Sequence, residues 1–180
     1  MGTNYPKNGL QDRVAFQQNG KPGTYPVQAW NDEIGTFQFL SSLADGTKIP
    51  AGAAVVMPVE NGDGVRLPAA GDLLKAAEDS NPANVKFVGV VAFGQYITVQ
   101  DGAYCKNNID PNLPVKQKGY ITVLMTDGEI AKAKFETLVC LDLAHPGYFK
   151  VSGADDVVVG KVNKIFPEYG TCEIELKEFI

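Results

Sequence analysis

Tyr120-Ile121-Thr122-Val123-Leu124-Met125-Thr126-Asp127-Gly128-Glu129-Ile130-Ala131-Lys132-Ala133-Lys134-Phe135 is the stretch whose reading decides the fold. Its first six residues are rich in β-branched and aromatic side chains, which fit a pleated, half-buried surface. Asp127-Gly128 tolerates the positive φ angles of a type I′ turn. After the turn, Ala131, Ala133 and Phe135 alternate with Lys132 and Lys134, so one face is apolar and the other charged. The stretch therefore predicts an antiparallel hairpin. The last apolar run, Thr171–Leu176, repeats the pattern, with Cys172, Ile174 and Leu176 inward and Glu173 and Glu175 outward.

Outward from this segment the same grammar continues. Short apolar runs at 37–43, 53–59, 85–93, 138–143 and 156–166 are separated by Asp45-Gly46, Asn61-Gly62, Asp101-Gly102 and Tyr169-Gly170. Helix signals are sparse. Only 69–78, with Leu73, Leu74, Ala76 and Ala77 behind Asp72, offers one or two capped turns before Pro82. The expected fold class is all-β, a small antiparallel barrel or sandwich with an extended N-terminal arm.

Residues 1–36 form that arm and residues 37–180 the β domain in this reading. The arm mixes Asn-Gly and Pro-Gly breaks with isolated large residues, among them Phe16, Tyr25 and the single tryptophan, Trp30. Such a segment docks either on a partner or on its own domain. Partner binding through Phe16, Tyr25 and Trp30 is the expectation for at least part of it, because large aromatic anchors offset the entropy lost on docking. A chain beginning at Phe37 is accordingly expected to fold.

A length of 180 residues permits one domain that buries about 70% of its unfolded surface. Sixteen Lys and Arg against 21 Asp and Glu leave a net charge of −5, and no basic run exists to neutralise phosphates. No nucleic-acid partner is expected. The longest apolar stretch, about Phe87 to Phe93, is too short for a membrane helix, so no membrane partner is expected either. The first residues lack the basic and apolar regions of a signal peptide, and Pro6 breaks the myristoylation pattern, which points to synthesis in a cytosol.

Chemistry is poorly provided for. Cys105, Cys140 and Cys172 are widely spaced, and with His145 as the only histidine they make no zinc pattern. They read as small hydrophobes in strands, with one disulfide plus a spare thiol as the alternative. His145, in the turn-like Ala144-His145-Pro146-Gly147, has no nucleophile motif beside it and reads as an exposed loop histidine rather than a general base. Glu173 and Glu175 match the look of a solvated strand face more closely than a glycosidase pair. The oxygen-rich loops 60–64 and 107–112 lack calcium-loop spacing and read as turns. No catalytic residues, cofactor or metal are expected, and the profile is that of an interaction protein rather than an enzyme.

Several motifs, in order, resemble one family. They are Lys48-Ile49-Pro50-Ala51-Gly52-Ala53-Ala54-Val55-Val56, then Gly64-Val65-Arg66-Leu67-Pro68, then Phe87-Val88-Gly89-Val90-Val91, then the 115–133 region, and finally Val158-Val159-Gly160-Lys161-Val162 with Gly170-Thr171-Cys172-Glu173-Ile174. Together they are similar to the structural cement, or decoration, proteins that stud the heads of tailed phages. The resemblance runs from residue 45 to 177 and leaves residues 1–36 and an insert at 106–118 unmatched. It implies a non-enzymatic virion protein on the capsid surface, a homotrimer whose partner is the major capsid protein. The alternative from another class is a β-sandwich module of a virion fibre or tail that binds carbohydrate or the host surface. Gly89 and Gly160 would be points of close backbone approach or bulging, or else simple bends.

Overall fold

Successive residues of Ala53-Ala54-Val55-Val56 enter two different hydrophobic cores: Ala54 and Val56 one, Ala53 and Val55 the other. Alternation of this kind requires a strand buried on both faces, and the architecture is built around it. The computed structural model describes residues 20–24, 33–60, 62–74, 83–93, 102–106 and 112–177.

Ten strands follow in chain order: β1 Glu33–Gln38, β2 Lys48–Pro50, β3 Ala54–Pro58, β4 Val85–Val91, β5 Ala103–Cys105, β6 Asn112–Leu124, β7 Leu138–Leu141, β8 Phe149–Val151, β9 Gly160–Phe166 and β10 Thr171–Leu176. A one-turn helix, α1 (Asp127–Ile130), follows β6, and a 3-10 turn at Pro167–Tyr169 joins β9 to β10. The main sheet runs β3-β4-β6-β10-β9-β7-β8, with β1 also paired to β6, and β2-β5 forms a separate ribbon. All these pairings are antiparallel. The all-β reading is correct, and the sheet is close to a barrel. Met125, just beyond β6, bridges Phe149 of β8 and so brings the two ends of the path β6-β10-β9-β7-β8 together.

The 13-residue β6 is shared by both halves. Its first half pairs with β1 and β4 and sends Leu113 and Val115 into the second core; its second half pairs with β10 and sends Ile121 and Val123 into the barrel core. Gly89 switches parity within β4. Before it, Val85 and Phe87 face the barrel core, and after it Val90 and Ala92 do. The register with β3 slips at this point, so Gly89 sits at a bulge. Its φ of +152° and the Lys116 carbonyl oxygen lying where a Cβ would go leave room for glycine alone. Gly160 is a second close approach, 2.6 Å from Cβ position to the Glu175 oxygen.

The expected hairpin at Asp127-Gly128 does not form. Ile130 N–H donates to the Thr126 carbonyl at 2.9 Å and Ala131 N–H to Asp127 at 3.0 Å, so Asp127-Gly128 opens a helix. Burial decides it: Ile130 and Ala133, three residues apart, both enter the barrel core, a helical rather than a strand spacing. Phe135, assigned inward as a strand residue, is 68% exposed.

The expected helix over 69–78 is also corrected over its described part, 69–74, which is irregular and ends with Leu74 bridging Val85. Asp72 does not cap forward. Its carboxylate turns back to accept from Ala69 N–H at 2.8 Å and from both terminal nitrogens of Arg66 at 2.8 and 2.7 Å.

The boundary between residues 36 and 37 falls inside β1, which pairs along its length with β6. Gly20–Thr24, expected in the arm, is also built into the domain. Gly23 N–H donates to the Thr122 carbonyl at 2.8 Å, Thr122 N–H returns a bond to Thr24 at 2.7 Å, and Phe93 N–H reaches Gly23 at 2.9 Å. These bonds satisfy the β6 edge that β10 leaves open, which an unattached arm would not do.

Candidate functional site

Two kinds of site were tested by the geometry: a reactive cluster and a binding surface. His145 lies on the β7–β8 loop, which is anchored by Ala54 N–H donating to the Gly147 carbonyl at 2.9 Å. Its Nδ1 shares a 2.8 Å hydrogen bond with Asp142 Oδ2, and its side chain is 59% exposed. The loop borders a shallow depression of about 480 Å³ that Met125, Thr126, Asp127 and Tyr148 complete. His145 is exposed over an open depression while its partner Asp142 is buried, and the depression is lined by no serine or cysteine of the kind acyl transfer uses. The loop-histidine reading agrees with this placement.

The buried thiols of Cys140 and Cys172 are poor nucleophiles. All three cysteines are free, so no disulfide forms between them. Burial pushes Cys140 up to about 12, reinforced by Asp156, and burial does the same to Cys172. Among the described residues no group of three or more His, Cys, Asp or Glu is arranged to hold a metal. Asp63, in one of the loops read as turns, accepts from Ser41 Oγ, an ordinary loop contact.

Glu173 departs from the expected solvated face. It points away from the barrel core with Glu175, yet is only 8% exposed and accepts from Asn163 Nδ2 at 2.6 Å. Its register partner Thr122 is 1% exposed beside Thr24, so the Gly20–Thr24 segment helps close off this part of the sheet. Glu175, half-exposed, instead pairs with Lys161 at 3.2 Å. The two carboxylates occupy unlike environments and do not converge.

The exposed apolar side chains carry more information. Phe135 (68%) and Leu138 (51%) stand out at one corner, and Val59 (60%) and Leu73 (57%) at another place on the surface. The first corner is held rigidly. Glu136 N–H donates to the Val162 carbonyl at 2.8 Å, Val162 N–H donates to Thr137 at 2.8 Å, and Thr137 Oγ1 accepts from Lys134 N–H at 2.9 Å. Glu136 has φ +63°, the positive-φ non-glycine residue among those described, and such strain persists only where surroundings enforce it. At the second place, Asn84 acts as a staple: its carbonyl accepts from Val59 N–H at 3.0 Å and its Oδ1 from Leu73 N–H at 2.8 Å. Sequence reading missed Phe135 because alternation with lysines looks the same for a strand and for the end of a helix. The available signal was Thr126-Asp127-Gly128-Glu129, a helix-start pattern. The expected anchors Phe16, Tyr25 and Trp30 lie outside the described residues.

No family model matches the chain. Over 85 residues, 43% of its length, it is 34% identical to Colossin-B of Dictyostelium discoideum, and the match spans 2% of that protein. In three dimensions it is similar to a chain from the capsid of Myoviridae Phage XM1, with a TM-score of 0.58 and 14% identity over 89% of this chain and 90% of that one. At that identity the likeness is one of fold.

Proposed function

We propose that this chain is a structural protein of a phage virion, without catalytic activity or obligatory cofactor, that binds the outer surface of the head and stabilises it. The observation carrying this reading is the fold shared, over nine-tenths of both chains, with a chain from a phage capsid. The cement-protein motifs of residues 45–177 support the finer assignment to head decoration, with the major capsid protein as partner and a homotrimer as the working unit. Stabilisation then follows from mass action: a protein that binds the assembled lattice and not the loose subunit lowers the free energy of the lattice. Repetition of weak contacts around a symmetric oligomer adds avidity. A rigid barrel with anchored loops, in which the buried Cys140 and Cys172 are inert, suits a role in which shape is the product.

Cosedimentation with mature heads stripped of this chain tests the reading. Saturable binding at a fixed ratio to the major capsid protein, with raised thermal stability of the heads, is expected. Localisation to tails or fibres instead, with retention on a host-surface glycan, would replace decoration with the binding-module alternative. Esterase, peptidase and glycosidase screens should stay at background, and an activity lost in His145→Ala would overturn the non-enzymatic assignment.

A further inference from the structure

The two exposed apolar pairs are complementary in charge as well as chemistry. At the first, Phe135 and Leu138 are accompanied by Lys134, an exposed cation just before the strained Glu136. The neighbouring cations are already engaged, Lys132 by Glu129 at 2.6 Å and Lys161 by Glu136 and Glu175 at 3.3 and 3.2 Å. At the second, Val59 and Leu73 are accompanied by the exposed carboxylate of Glu60. Both places are pre-organised by backbone hydrogen bonds, so neither loses much freedom on docking.

We infer that the Lys134–Phe135–Leu138 corner of one molecule docks on the Val59–Glu60–Leu73 surface of a second copy of this chain. Apolar meets apolar, and Lys134 meets Glu60 across the contact. The two patches are different surfaces, so the contact is head-to-tail, and it makes a ring where the rotation between successive copies closes. On a chain of net charge −5, two copies repel overall, and a local cation opposite a local anion is what orients them. The inference rests on the homo-oligomer part of the proposed function and names the surfaces that would build it.

Sedimentation equilibrium of the full chain tests it, with head binding measured separately. The full chain is expected to self-associate. Phe135→Ala should weaken self-association about 30-fold, as loss of a central aromatic anchor does. Lys134→Glu and Glu60→Lys should each weaken it about 10-fold, and the double exchange should return it to within about 3-fold of the original. All four variants alter exposed side chains, and unchanged circular dichroism and melting temperature would confirm that folding is intact. A full chain that stays monomeric overturns the oligomer and this contact together. An oligomer indifferent to the three single substitutions overturns the contact alone. Head binding without self-association would keep the virion role and reject the ring.

Discussion

Gly89 and Asp72 show how much a single residue decides in this fold. At Gly89 any side chain would enter the space of the Lys116 carbonyl, in a backbone conformation that L-residues avoid. Gly89→Ala should therefore cost about 3 kcal/mol or more, read as a lowered urea midpoint, through strain and displacement of β6. Asp72 is different in kind. Burial opposes its charge, but the Arg66 side chain, the Ala69 N–H and the guanidinium charge together outweigh that and hold its carboxyl below the usual range. A carboxyl depressed on folding contributes stability above its unfolded pKa of about 3.9, and that contribution is lost as pH falls through the folded value. Asp72→Asn should thus cost about 2 kcal/mol near neutral pH, and the gap from the parent should narrow steadily below about pH 4. A gap independent of pH in urea melts would show that the ion pair is not its source.

α1 is the element on which the sequence expectation and the structure part company. As a type I′ turn residue, Gly128 would resist any side chain. Within the helix it has no positive φ, and a Cβ there meets nothing within 4 Å. Gly128→Ala should stabilise the protein by about 0.5–1 kcal/mol, because alanine loses less backbone entropy in a helix. A fall in melting temperature would restore the turn. The helix also finishes the barrel: Glu129 Oε2 accepts from Val151 N–H at 2.8 Å, covering a donor on β8. Its carboxyl is held low, chiefly by Lys132 and against the cost of burial, so this cap stays ionised in the neutral range.

For the whole molecule, the placement of Gly20–Thr24 redraws the boundary of what must be present for folding. Removing residues 1–36 would delete four of the six residues of β1, three backbone bonds to Thr122 and Phe93, and the Thr171 Oγ1 bond to Gly20. At about 1 kcal/mol for each bond lost, and more for buried groups left unsatisfied, the melting temperature should fall by about 10 °C or more. Removing residues 1–19 leaves all these contacts in place and should lower it less than removing residues 1–36 does. Equal melting temperatures for the two truncations would return residues 20–36 to a passive arm.

Local chemistry was enough to establish the all-β class, the inward set Cys172, Ile174 and Leu176 and the exposed His145, while Gly89 and Gly160 stayed open between close approach and simple bends until the packing decided for close approach. These follow from period-2 alternation and from turn residues whose backbone preferences act within a few positions. Other features depended on partners distant in the chain. Asp127-Gly128 is compatible with a turn or a helix start, and the barrel core, by taking Ile130 and Ala133 together, selected the helix. Asp72 was drawn from a forward cap by Arg66, Glu173 was buried beside Thr122, and Lys116, by type a surface residue, is fully buried and engaged in an interaction there. In each case, local preference differs between the alternatives by about a kcal/mol, while burying an apolar side chain or satisfying a buried charge is worth several-fold more, so tertiary packing prevailed.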